Sequence, residues 1–398
     1  MSLAGWRRMW GLRVFADPRF VRVAFGLVVA ILLTFRAAQL IGWLAAPQWG
    51  YDFSAYWLAG RHLLEGETIY AAAQLAGPYA PQGQFLYLYP PFLAVLAMPF
   101  AWLFQDSYGP AAGAWALGGA AITVAVVLGI ARLERLAPTR ERTLLLLAAA
   151  FAFPPLVGEL VLGNVHLLLV GLLALAWWGV RIGGRRGDAL AGVAIGAASL
   201  VKLFPALLVL WLLLTGRRRA AAWALVAAAS LALLTLPVTG LDPWVSYPAV
   251  LANLGPPADT TDALAPAVWL GLFLPSAVAR AIVLGLGVAA VAWAAVRLDE
   301  RASFGTAVAV SVLVAPALFQ HYLAIMVLPL LLGLPLAREG PKGARAALAA
   351  SYFAMWPGQQ PLLGGAAWVL NRAIPTVGAL GVPVTLLRIP PSKLRKRR

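Results

Sequence analysis

Residues 108–131 read YGPAAGAWALGGAAITVAVVLGIA without one charged side chain, and apolar runs of this kind recur along the chain. An α-helix rises about 1.5 Å per residue, so about 20 such residues cross the hydrocarbon core of a bilayer. No water reaches backbone N–H and C=O groups there, and a helix satisfies them within its own segment. Only 12% of the residues are charged and 62% are hydrophobic, where a soluble domain carries roughly 25% charged residues. A set of soluble domains is excluded. The pattern predicts an all-α, polytopic integral membrane protein in a single transmembrane domain over 1–398. With no cysteine and only His62, His166 and His321, neither a disulfide framework nor a thiolate metal site can form.

The formal net charge of +16 raises the question of nucleic acid, and its distribution answers it. Basic residues come in short bursts between apolar runs: Arg7 to Arg22, Arg132 to Arg142, Arg181 to Arg186, Arg217 to Arg219, Arg297 with Arg301, Arg338 to Arg345, and the tail 388–398. Short basic loops stay cytoplasmic. The surplus therefore marks topology and contact with anionic membrane lipids, and no aromatic-basic platform for nucleic acid is present.

Placing every burst inside predicts spans near 21–44, 108–131, 143–161, 165–181, 218–238, 278–297, 303–319, 321–337, 345–364 and 366–387, with both termini cytoplasmic. Two apolar stretches do not fit as simple spans. Residues 85–105 must begin and end outside, and 188–216 must begin and end inside. The second is too short for two full spans but fits two half-length helices meeting at Lys202-Leu203-Phe204-Pro205, where proline favours a break; a kinked single span is the other reading. In all, about 10–13 transmembrane or re-entrant helices are expected. The first apolar run is too long for a cleavable signal peptide and no small-residue cleavage site follows it. No internal repeat is evident.

The polar groups crowd the outer face, in loops 46–84 and 239–277. In the first loop Tyr56, Trp57, Leu63 and Leu64 recur at helical spacing, with Ser54, Arg61, Glu65 and Glu67 opposite. This predicts an amphipathic helix in the interface. Asp52 precedes it, either as a helix cap or as a functional carboxylate. Its company is Tyr89-Pro90-Pro91, Gly163-Asn164-Val165-His166, Lys202 to Pro205 and Gln320-His321-Tyr322, all at outer span ends or at the helix break. Lys202 is flanked by apolar residues, and an intramembrane charge costs about 2.5–3.5 kcal/mol on insertion scales, so it is functional by default.

Five motifs follow one another in order: YDFSAYWLAGRHLLEGETIY, FLYLYPPFLAVLAMPFAWL, GNVHLLLVGLLALAWW, GVAIGAASLVKLFPALLVLWLLL and APALFQHYLAIMVLPLLL. Over about residues 20–337 the chain resembles glycosyltransferase family 87, the polyprenol-phosphate-mannose-dependent mannosyltransferases of the GT-C superfamily. The resemblance implies a GT-C fold and an enzyme of the plasma membrane whose active site faces outside. It would move a mannosyl or other hexosyl residue from a polyprenyl-phosphate donor to a lipid or glycan acceptor. Asp52 matches the catalytic base of the first outer loop, Lys202 would meet the donor phosphate, and His321 would lie at the active-site mouth. The family often shows two adjacent histidines where this chain has Gln320-His321.

Such a donor is already activated, so one carboxylate and one or two cations suffice for an inverting displacement. No metal is expected. Arg36, within the first span, is a second candidate for the phosphate or a partner of Glu159. Tyr56, Trp57, Asn164, His166 and Gln320 are the expected acceptor or sugar contacts, while Tyr89-Pro90-Pro91 reads as a turn. Two alternatives stay open: transfer of another polyprenyl-linked sugar such as arabinose, and a lipid flippase. A flippase would usually show repeated halves and paired midplane charges, and the sequence shows neither.

Overall fold

A computed structural model of the protein describes residues 49–79, 86–105, 107–137, 139–254, 264–341, 343–357 and 365–389, with scattered positions between 23 and 42. The described chain is helical: α1 (Tyr51–Glu65), α2 (Ala72–Ala76), α3 (Pro91–Phe104), α4 (Tyr108–Leu133), α5 (Arg140–Ala152), α6 (Pro154–Leu162), α7 (His166–Ile182), α8 (Gly184–Val201), α9 (Leu207–Leu214), α10 (Arg218–Thr239), α11 (Asp242–Ala252), α12 (Pro266–Leu270), α13 (Ser276–Arg297), α14 (Glu300–Leu313), α15 (Val327–Glu339), α16 (Ala344–Ala354) and α17 (Gly365–Leu387). Short 3-10 turns cover Phe204–Ala206 and Gln320–Met326. Among the described residues the extended pairing is one isolated bridge, Tyr79 to Leu254.

Among the described residues, five helical runs are long and apolar enough to cross a bilayer: Tyr108–Leu133, Arg218–Thr239, Ser276–Arg297, Gln320–Ala337 and Val369–Leu387. They agree with the apolar spans read from sequence, and the chain is a multi-pass membrane protein. Of the expected span 21–44 only scattered positions are described, all helical. Arg36, Asp259 and Asp262 lie outside the described residues.

Four elements differ from expectation. Among its described residues the span 345–364 is helical only as α16, which stops at Ala354 after 11 residues, too short for a crossing; 358–364 lie outside the described residues. The span 143–161 is two helices, α5 and α6, bent by 61°. Pro154 and Pro155 open α6 and have no N–H to give the last carbonyls of α5, so the helix cannot run through. The span 303–319 ends as a helix at Leu313, short of a crossing, and every residue from Ala302 to Leu313 is buried. It is a core helix wrapped by others. The amphipathic helix forms as α1, but Phe53 to Trp57 with Ala59 and Gly60 are buried, so most of its first half is sunk in protein, and exposure is confined to Tyr51 and the last turn.

The stretch 188–216 turns back at the expected place, but not as two half-length helices: its first arm is α8, 18 residues long, and only the return arm α9 is short. Lys202 ends α8 in extended conformation (φ −155°, ψ 142°), the 3-10 turn through Pro205 follows, and α9 returns. A Cβ on Gly192 would collide with the Ala220 carbonyl and one on Gly196 with the Ala224 carbonyl. Equal steps along α8 and α10 mean that the two run in the same direction. Arg217, at the start of α10, bonds Asp188 Oδ1 at 3.2 Å and the Val180 carbonyl at 3.1 Å. Both ends of the hairpin thus lie at one end of the bundle. In the stretch 85–105 the described residues 86–105 hold one continuous helix, α3, with no turn back, and the residues flanking it both reach α1. Tyr89 reaches Tyr56 of α1 (ring centroids 5.0 Å), and Tyr108 comes back to Phe53 (6.1 Å) and Trp57 (5.4 Å).

Candidate active site

Two glycines bring the first loop onto the helix ends. Gly163 closes α6 in the left-handed region (φ +68°), where a Cβ would lie 2.8 Å from the Cβ of Phe53. Gly50 takes the same conformation (φ +68°) and donates its N–H to the Val161 carbonyl at 2.7 Å. Only glycine adopts this backbone without steric cost. The close approach sets Asp52, in the first turn of α1, against Asn164. The cap of α1 is Gly50, with no side-chain cap bond, so Asp52 is not the cap and its carboxylate is directed elsewhere.

Asn164 Nδ2 donates to Asp52 Oδ2 at 2.9 Å, and His321 Nε2 lies 3.4 Å from the same oxygen. His321 arrives on the 3-10 turn that packs over α6, where a Cβ on Gly158 would sit 3.5 Å from its own. Tyr56 OH donates to Tyr89 OH at 3.0 Å, which donates to Asn164 Oδ1 at 3.4 Å. Asn164 is itself held by its Oδ1, which accepts from the Val165 N–H at 2.7 Å. Asp52 keeps 23% of its side chain exposed while His321 keeps 10%, so the carboxylate is the group that an incoming molecule can touch. Burial pushes its pKa up to about 6, against the lowering effects of the Asn164 bond and the Lys202 charge.

A second line of polar groups adjoins this one. Glu159, buried in α6, accepts from the His166 backbone N–H at 2.5 Å, and its other carboxylate oxygen lies 2.9 Å from His166 Nδ1. His166 Nε2 lies 3.0 Å from Lys202 Nζ. The ammonium sits over the Tyr322 ring at 3.7 Å and over the Tyr89 ring at 5.3 Å, a cation–π cradle. Among the described residues no carboxylate lies within 4 Å of it. A cavity of about 150 Å³ abuts both lines; Glu159 and Asn164 are its polar members, with Phe100, Trp115, Ile122 and Leu167 among its apolar walls.

With this geometry in place, comparison with known proteins is informative. Residues 87–329 match glycosyltransferase family 87. The chain belongs to glycosyltransferase family 87. It is also 28% identical over 233 residues to the polyprenol-phosphate-mannose-dependent alpha-(1-2)-phosphatidylinositol mannoside mannosyltransferase of Mycobacterium tuberculosis (strain ATCC 25618 / H37Rv), covering 54% of this chain and 53% of that protein. The match thus spans about half the length of the relative. The family 87 region contains Tyr89, Glu159, Asn164, His166, Lys202 and His321; Asp52 and Tyr56 precede it and join it through the Gly50–Gly163 approach.

Of the residues singled out from this family 87 sequence, the structure brings together Asp52, Asn164, His166, Lys202 and His321, with Tyr56 joined through Tyr89. Trp57 faces elsewhere: it packs on Tyr108 and lies under the Arg61 guanidinium at 5.1 Å. Gln320 turns away and donates to the carbonyls of Trp356 (3.3 Å) and Pro357 (2.6 Å), tethering the 3-10 turn to the end of α16. The expected Arg36–Glu159 pair falls outside the described residues on the arginine side, and both Glu159 oxygens serve His166. Tyr89, read as part of a turn, does open α3 with Pro90 and Pro91, yet its hydroxyl stands in the site. Tyr322 and Glu159 were likewise legible only as a ring beside His321 and a lone acid in an apolar run.

Proposed function

We propose that the protein transfers a mannosyl residue from polyprenyl-phosphate-mannose to a glycolipid acceptor, of the phosphatidylinositol mannoside kind named for its relative, at the outer face of the plasma membrane. The observation that carries this reading is the pairing of a reachable carboxylate, Asp52, with a half-buried lysine, Lys202, that among the described residues has no acid within 4 Å. In the reaction an acceptor hydroxyl oxygen attacks C1 of the sugar as the bond from C1 to the phosphate oxygen breaks. Asp52 takes the hydroxyl proton, with His321 and Asn164 fixing its carboxylate. The electron pair of the broken bond leaves with the polyprenyl phosphate, whose charge Lys202 meets. The adjoining cavity offers apolar room beside the reacting groups for a stretch of lipid chain.

A single displacement inverts the anomeric centre. A double displacement needs a second carboxylate about 5 Å from the first. Glu65 lies 13 residues along α1 from Asp52, about 20 Å at helical rise, and is paired with Arg61 at 3.2 Å. Glu159 is held by His166. Glu159, His166 and His321 offer ligand atoms within 4.8 Å of one another, yet a divalent cation there would displace the Glu159–His166 bonds and lie beside the Lys202 ammonium, so the reading is of metal-independent transfer.

The test is incubation of the purified protein with radiolabelled polyprenyl-phosphate-mannose and a lipid extract of the host, with and without EDTA. Mannolipid forms under both conditions, and Asp52→Asn lowers turnover by roughly 10²–10⁴-fold, the usual worth of a general base, while the variant inserts and folds. Normal turnover by Asp52→Asn removes the base from this mechanism; loss of wild-type activity in EDTA returns a metal to it.

A further inference from the structure

The Glu159–His166 pair does work that transfer chemistry does not assign to it. Imidazole has two nitrogens, and in the neutral ring one donates while the other accepts. Here Nδ1 lies 2.9 Å from a carboxylate oxygen and Nε2 lies 3.0 Å from an ammonium. A carboxylate can only accept and an ammonium can only donate. With Glu159 ionised and Lys202 protonated, one form of His166 satisfies both contacts: the neutral ring with its proton on Nδ1. The opposite tautomer sets Nε2–H against Lys202 N–H and leaves Nδ1 facing Glu159 lone pair to lone pair. A doubly protonated ring would set two cations 3.0 Å apart. The same logic governs metal-bound histidines, whose outer partner fixes the tautomer.

We infer that Glu159, acting through His166, is the positioning residue that holds Lys202 at the donor phosphate. The lysine has three N–H bonds. One is spent on His166 and the Tyr322 face takes up part of the charge at 3.7 Å; among the described residues no other acceptor is bonded to it. The extended backbone at Lys202 lets the side chain leave the helix axis, so without His166 a flexible four-carbon stem would have no polar anchor. Glu159 is anchored from both sides of Gly163, since the turn Gly163–Val165 folds His166 back so that its backbone N–H and its ring bond the same carboxylate. His166 thereby changes from an expected sugar contact to the link between an acid and the cation it steers. The inference rests on the reading of Lys202 as the phosphate cation.

The experiment is a double-mutant cycle read as binding of farnesyl phosphate, with farnesol as the uncharged control, to the purified full-length protein in detergent. Wild type should prefer the phosphate, and Lys202→Met should lose that preference by tenfold or more. Glu159→Gln should lose most of it when Lys202 is present and change nothing further in the Lys202→Met background, because it acts only through that lysine. Equal losses in both backgrounds, or no loss in either, overturn the positioning role while leaving Lys202 in place. An unchanged preference in Lys202→Met removes the phosphate reading itself, and the inference with it. A second readout needs no change to Glu159: the chain has three histidines, and ¹⁵N-histidine spectra should show one neutral ring in the Nδ1–H form, lost in His166→Phe. Spectra with every neutral ring in the Nε2–H form overturn the proposal.

Discussion

Asp52 lies in the first turn of α1, where it is buried enough to resist charge and open enough to be touched. In the mechanism proposed above Asp52 is the base, and a base works only when unprotonated, so its pKa would set the acid limb of the rate. Burial lifts that pKa to about 6, with the Asn164 bond and the Lys202 charge pulling the other way. The value of kcat/KM should therefore fall tenfold per unit below about pH 6, not below the pH of about 4 expected of a free carboxylate. Asn164→Ala removes one of the lowering contributions, so its limb should move to higher pH. Product formation between pH 4 and 8 decides this, and a limb near 4 in both proteins would take Asp52 out of proton transfer. At this scale the sequence was readable where a polar group was costly: Asp52, Lys202, Asn164 and His321 all stand at span ends or inside an apolar run. Tyr89 and Tyr322 were not, because an aromatic at a membrane boundary is ordinary. The role of Glu159 depends on a left-handed turn at Gly163 that no periodicity announces.

Elements carry these side chains, and the hairpin α8–α9 carries Lys202. Its place depends on close contact between α8 and α10, where Gly192 and Gly196 leave no room for a side chain against the Ala220 and Ala224 carbonyls. Small residues let membrane helices approach in this way. Gly196→Ala should cost about 1–3 kcal/mol, the usual penalty of overpacking, lower the thermal midpoint in detergent, and raise the donor KM, since Lys202 lies six residues beyond. Gly285→Ala in α13 is the control, because nothing lies within 4 Å of that position, and it should change neither quantity. A harmless Gly196→Ala would show that the two helices do not depend on this contact. The hairpin itself was legible from charge and from Pro205. The bend between α5 and α6 was signalled by Pro154-Pro155 but hidden by an unbroken apolar run. The early end of α14 at Leu313 was hidden in the same way, because burial by neighbouring helices and burial in lipid select the same residues.

Across the whole molecule, polar chemistry and positive charge sort to opposite ends of the same helices. At one end Glu134, after α4, bonds Trp177 Nε1 at 2.8 Å, Arg181 at 3.4 Å, and Arg301. Beside it Arg217 bonds Asp188 at 3.2 Å and Glu300 at 2.5 Å. These contacts gather the end of α4, the end of α7 and the starts of α8, α10 and α14. At the other end stand Tyr108, Asn164, His166, Lys202 and His321, which are the start of α4, the start of α7, the end of α8 and the turn after α14. The helix α7 has 17 residues and α8 has 18, about 25 Å and 27 Å at helical rise, close to the ~30 Å of a hydrocarbon core. The site and the basic cluster therefore face opposite surfaces of the membrane. Under the topology proposed above, in which basic ends stay cytoplasmic, the site lies outside, where a lipid-linked donor serves without a nucleotide. Because the chain has no cysteine, this can be read directly. Glu67→Cys, beyond α1 and 62% exposed, should react with an impermeant maleimide on intact cells. Arg218→Cys, exposed at the start of α10, should react only after permeabilisation. Labelling of Arg218→Cys alone on intact cells would invert the protein, put Asp52 and Lys202 on the cytoplasmic face, and call for a donor delivered from that side.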